Sequence, residues 1–113
     1  MHEMSLAVQV AEIAEREAQR AGLQCIERLS LTVGELAGVE LPALELALAS
    51  ALAGTVAASA RIDYVHEAGQ GECQQCQAQF AVSGLYEPCP QCGGFDIRIL
   101  QGRSLKVKSL EGY

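Results

Sequence analysis

The sequence has no tryptophan, two phenylalanines and three tyrosines. A core of large aromatic rings is thereby excluded, and one assembled from alanine, leucine and valine is expected. Basic residues are thin as well: eight Lys and Arg stand against fourteen Asp and Glu, a net charge of −6. Between Gly69 and Asp96 there is no Lys or Arg at all, while Glu72, Glu87 and Asp96 remain. Nucleic-acid surfaces gather Lys and Arg to exchange for phosphate counterions, so that stretch is excluded as one. No run of roughly 18 uncharged apolar residues exists to span a bilayer. Met1-His2-Glu3-Met4-Ser5 does not open a basic-then-apolar secretory leader. A cytoplasmic, reducing location is the expectation, and there clustered cysteines bind metal in place of forming disulfides. Neither a nucleophile–base set nor a phosphate-binding loop occurs, so an enzyme is not expected.

Half of the 113 residues are hydrophobic, which suffices for a core in one ordinary domain or a small domain with an appendage. From Ser5 to Ala21 the apolar positions Leu6, Val10, Ile13 and Ala14, continued by Glu17, recur at helical spacing. Ser5 is the expected N-terminal cap and Gly22 the C-terminal one. From Ile26 to Glu35 the period changes to two, with Leu29, Leu31 and Val33 on one face, the mark of a strand buried on one side. A second helix is expected from Pro42 to about Ala53, with Gly54 closing it, and a second strand from about Ala60 to His66. At Ala68 the composition shifts: Gln, Cys, Gly and Pro dominate until Gly94, and apolar alternation returns at Ile97, Ile99, Leu105 and Val107. The implied fold is α+β. A small α/β body of two helices on a three-stranded sheet covers 1–68, a zinc-ribbon-like insertion covers 69–96, and a final strand in 97–113 returns to the body.

Cys73, Cys76, Cys89 and Cys92 form two Cys-x2-Cys pairs. Two residues between cysteines let both sulfurs meet one ion from a tight turn, and two such turns complete the tetrahedron of structural zinc. Pro90 and Gly93 give the second turn suitable backbone chemistry. The first turn, Cys73-Gln74-Gln75-Cys76-Gln77, has no glycine, so a less regular geometry is expected of it. With all four positions filled by protein, no coordination site is open for catalysis. Iron in the same cage, as in rubredoxin-like knuckles, remains an alternative, and so does a zinc-ribbon adaptor whose only metal is structural.

At the other end, His2 follows the initiator methionine, and so large a second residue is expected to keep Met1 in place. The Met1 amine, the backbone nitrogens of His2 and Glu3, and the His2 imidazole could then place four nitrogens in a plane, as Ni²⁺ or Cu²⁺ prefers. A solvated terminal histidine is the alternative. Cys25 stands alone before a strand and reads as an idle thiol. His66 reads as a surface or packed histidine, with a bridge between metal sites as its other reading.

Met1-His2-Glu3 running into a helix, Val33-Gly34-Glu35-Leu36-Ala37-Gly38-Val39-Glu40 before a second helix, and the paired Cys-x2-Cys motifs together resemble the HypA/HybF family of hydrogenase maturation factors. The resemblance covers essentially the whole chain. It implies a nickel-binding α/β domain with a zinc-ribbon-like domain attached, and a nickel metallochaperone serving [NiFe] hydrogenase. It further implies nickel ligation by His2 with the backbone nitrogens of His2 and Glu3, and zinc ligation by Cys73, Cys76, Cys89 and Cys92. A nickel-handling GTPase and the hydrogenase large-subunit precursor are the implied partners. Some members carry an Asp linked to the nickel site where this chain has Glu40, whose other reading is a helix-start carboxylate favoured by the dipole.

Overall fold

A computed structural model describes residues 2–113. The element order is α1 (Glu3–Ala21), β1 (Ile26–Gly34), α2 (Leu41–Leu52), β2 (Arg61–Glu67), β3 (Gln70–Cys73), β4 (Gln79–Ala81), β5 (Ile97–Gln101) and β6 (Leu105–Gly112). Two three-stranded sheets result, ordered β2-β1-β6 and β4-β3-β5. The α+β class with two helices and a cysteine-bearing insertion is therefore the one found. The chain divides into two compact units, one of Met1–Thr32, Val39–Val65 and Lys106–Tyr113, the other of Val33–Gly38 and His66–Leu105. Among the described residues no helix is long and apolar enough to cross a membrane.

In the first unit α1 packs on α2. The seam on α1 is Glu3, Ala7, Val10, Ala14 and Ala18, a stripe in which small residues leave room for the facing helix. Leu6 and Ile13 are only half-buried, so the expected stripe is rotated toward the alanines. The facing residues on α2 are Leu44, Ala47, Leu48 and Leu52. Leu29 and Leu31 of β1 are fully buried, as their alternation requires. Gly22 closes α1 with φ 72°, and the Leu23 N–H donates back to the Ala18 carbonyl at 2.8 Å, the six-to-one bond of a Schellman end. At the other end Ser5 is not the cap: α1 begins at Glu3, with His2 in the cap position and no side-chain capping bond. The reason lies far along the chain. The Glu3 carboxylate turns inward and accepts the Glu40 N–H at 3.1 Å, which fixes the first turn against the start of α2.

Past α2, the Glu15 carboxylate accepts the Val56 N–H at 2.9 Å, and the Val56 carbonyl accepts the Ile26 N–H at 2.9 Å. One α1 side chain thus holds the loop that lines up with β1. At the same end of β1, Cys25 and Tyr113 exchange backbone hydrogen bonds at 3.0 Å each.

In the second unit, β3 pairs antiparallel with both β4 and β5, with Gly71 opposite Phe80 and Ile99. The stretch from Ile97 onward is two strands, not one. It breaks at Gly102, whose φ of 92° is open to glycine and strained for other residues. A side chain there would also have no room: a Cβ would lie 2.7 Å from the Gly69 Cα. The Gly102 N–H donates to the Glu67 carboxylate at 3.0 Å, and its carbonyl accepts the Leu36 N–H at 2.7 Å. Three backbone segments thus meet at one tight crossing, which sends β5 to the cysteine sheet and β6 to the other.

Candidate metal centre

The four cysteines come from two turns of the same build. In the first, the Cys73 N–H donates to the Ala78 carbonyl at 2.9 Å and the Gln77 N–H to the Cys73 carbonyl at 2.9 Å. In the second, the Cys89 N–H donates to Gly94 at 2.7 Å and the Gly93 N–H to Cys89 at 2.9 Å. The left-handed position falls on Gly93 (φ 73°) in one turn and on Gln77 (φ 67°) in the other. The expectation of an irregular first turn is therefore corrected: Gln77 adopts the conformation that glycine takes more cheaply, at about 1–2 kcal/mol. Its amide also donates to the Gln74 carbonyl at 3.1 Å.

The sulfurs lie within 4.8 Å of one another. Cys73 and Cys92 are 3.5 Å apart, and Cys76 and Cys89 are 3.6 Å apart. A tetrahedron of sulfurs about 2.3 Å from a central ion has edges of about 3.8 Å, so the cage fits zinc. The first cysteine of each turn, Cys73 or Cys89, is buried and the second, Cys76 or Cys92, exposed. Backbone N–H groups point at the sulfurs: Cys76 and Gln75 toward Cys73, and Cys92 and Gln91 toward Cys89. These donors, the Cys92 N–H foremost, hold the Cys89 thiol down at about 7 against burial. On Cys92 the Gly94 N–H pulls the same way, but the Cys73 thiol, burial and the other two thiols push it up to about 12. Four such groups cannot all ionise side by side unless a cation neutralises them, and a divalent metal with thiolate ligands does so.

His2 is exposed at the head of α1, and its carbonyl accepts the Leu6 N–H at 3.1 Å. Glu3 is buried, and the backbone of Glu40 is tied to it, so the two sequence motifs at 2–3 and 38–40 meet. The Glu40 side chain is itself exposed. The amine of Met1, invoked for the same chelate, lies outside the described residues. His66 is exposed on β2 and stands apart from the sulfur cluster. Cys25 is half-buried and also lies outside it. Sequence reasoning missed the inward turn of Glu3, because a carboxylate in a helix's first turn has the dipole as a sufficient local explanation.

A two-helix body with a pair of cysteine turns converging on one point defines an α+β protein with a ribbon-like insertion whose four sulfurs could hold a metal ion. The profile of the family described as "Hydrogenase/urease nickel incorporation, metallochaperone, hypA" matches residues 1–112. A hydrogenase maturation factor HypA of Parabacteroides distasonis is 41% identical over 110 residues, 97% of this chain and 96% of that protein. One of Geobacter sulfurreducens is 39% identical over 111 residues, 98% of each. The solution structure of the Ni metallochaperone HypA from Helicobacter pylori is similar with a TM-score of 0.79 and 27% identity, covering 99% of this chain and 97% of that one. The chain belongs to the HypA family of hydrogenase maturation factors. That is a family of metallochaperones, not of enzymes.

Proposed function

We propose that the protein carries Ni²⁺ for the maturation of a [NiFe] hydrogenase in the cytoplasm. The Met1 amine, His2 through its imidazole and backbone nitrogen, and the backbone nitrogen of Glu3 hold the cargo. Cys73, Cys76, Cys89 and Cys92 hold a structural Zn²⁺, which braces the insertion at 69–96. Nickel binding then belongs to the α/β domain at 1–68, with β6 (Leu105–Gly112) completing its sheet.

The observation that carries this reading is the position of His2. It occupies the cap of α1 with its side chain in solvent. N–H groups at a helix start have no carbonyl four residues earlier to bond, so no helical hydrogen bond has to break when nitrogens there take a metal. The Leu6–His2 bond and the Glu3–Glu40 bond fix the backbone on the other side. Few and exposed ligands suit a metal that must be handed on. A nickel-handling GTPase and the hydrogenase large-subunit precursor are the partners of that transfer. Affinity falls as pH falls, because the ligand nitrogens must be unprotonated.

Purified untagged protein should contain one zinc per chain and take up nickel on titration. Both His2→Ala and a variant with one residue added before Met1 should lose most of the nickel affinity and keep the zinc. Nickel binding as tight in both variants as in the parent would sink the carrier reading. Red protein with iron at the cysteines would favour an electron carrier.

A further inference from the structure

The first unit has an open cleft of about 330 Å³ between α2, the loop after it and β2, and neither His2 nor a cysteine lines it. Its floor is Leu48 and Leu52, with Ile62 beside them; Glu45 and Tyr64 supply its polar edge. Leu41, 39% exposed, stands one turn before Glu45 and extends the same helical face. The one charged residue that lines the cleft is Glu45. From Leu29 to Ala60 the sequence contains no Lys or Arg, while Glu35, Glu40 and Glu45 are present. The flanking bases Arg28 and Arg61 share Asp63 and neither pairs with Glu45. The Glu45 side chain makes no hydrogen bond or ion pair to another described residue. Burial first, and the charge of Glu45 second, push the Tyr64 hydroxyl above its ordinary pKa, so the polar edge is negative.

We propose that this cleft docks a short segment of a protein partner that inserts a large apolar side chain over Leu48 and lays a Lys or Arg against Glu45. An apolar floor beside the Glu45 carboxylate, which no described cation pairs with, is complementary to an amphipathic basic helix. Apolar anchors at i, i+3, i+4 and i+7 supply affinity in such grooves, and opposite charge supplies orientation and on-rate. A small molecule would have to combine the same apolar body with a cation, but the extension of the stripe to Leu41 favours a segment spanning more than one helical turn.

The chain lacks tryptophan, so a peptide carrying a single Trp reports binding by its own fluorescence. The probe is a helical Leu/Lys peptide with Leu at those spacings, compared with its Leu/Glu counterpart. The Lys peptide should bind the full chain at least about tenfold more tightly than the Glu peptide, the equivalent of about 1.4 kcal/mol. Glu45→Lys and Ala58→Arg, both at exposed positions, should each weaken it by about the same factor. Glu12→Lys, an equal charge change on the exposed side of α1, should leave it unaltered. Equal loss from Glu12→Lys and Glu45→Lys would mean diffuse charge attraction and overturn the proposal. So would unaltered binding by both cleft variants, with folding of each verified by circular dichroism. The readout needs no nickel, so its failure and that of the carrier reading are separate.

Discussion

In the first unit Ile26, Leu29, Leu31, Leu44 and Leu48 are at most 2% exposed, whereas among the described residues of the second unit the buried hydrophobic residues are Cys73, Val82 and Cys89. Of its three aromatics, Phe80 is half-buried while Tyr86 and Phe95 point outward, at 90% and 73% exposure. One unit is held by apolar side chains removed from water. The other has a single buried aliphatic side chain, short strands, and four sulfurs converging on one point. Both are tied by backbone hydrogen bonds, but such bonds contribute only about 1 kcal/mol each net of water. The comparison teaches that buried area accounts for one unit and not for the other, where the four sulfurs offer a metal ion the coordination that we propose stabilises it.

The largest effect should come from removing the metal. Binding energy at such sites is on the order of 10 kcal/mol and doubles as folding energy. A strong chelator, or Cys89→Ser, should abolish amide-exchange protection in β3, β4 and β5 while α1 and α2 keep theirs. Persistent protection of β3 in metal-free protein would break the comparison. Next comes Leu29→Ala, which opens a cavity under β1 and should cost about 2–5 kcal/mol. Thermal unfolding should show that loss, with zinc content at low temperature unchanged.

A finer test lies between the two cysteine turns. Gln77→Gly removes left-handed strain and should tighten zinc by about 1 kcal/mol, and Gly93→Ala should weaken it by about 1–2 kcal/mol. Competition with a chromophoric chelator reads both. Opposite signs at these paired positions confirm that the turns are equivalent; equal signs refute it. The smallest effect is electrostatic. The Arg28 side-chain hydrogen bond holds the Asp63 carboxyl below its ordinary value, which is about 3.9. Its stabilisation is present above that value and fades as pH falls through the lowered one. Asp63→Asn should flatten the acid limb of a denaturation curve by a small amount, as expected of an exposed pair.

Much of this was legible in advance where the cause is local. The sulfur cage follows from spacing, because two residues between cysteines fix the reach of a turn. The end of α1 follows from Gly22, and β1 from the alternation of Leu29 and Leu31. The start of α1 was misread at Ser5, because the competing partner of Glu3 lies at Glu40. The first cysteine turn was misread because Gln77 has no intrinsic left-handed preference, and closure of the cage imposes it. The nickel chelate rests on residues whose roles stand as a proposal.

By itself the sequence determined which residues could share a metal, which faces are apolar and where charge of one sign is missing. These are properties of short windows, set by helical and strand periods and by the geometry of tight turns. Only the tertiary structure decided that Glu3 meets Glu40, that 97–113 divides at Gly102, and that α2, a loop of alanines and β2 enclose a cleft edged by Glu45. Each of those depends on segments more than ten residues apart meeting within hydrogen-bond or van der Waals range, and no local pattern specifies such a meeting.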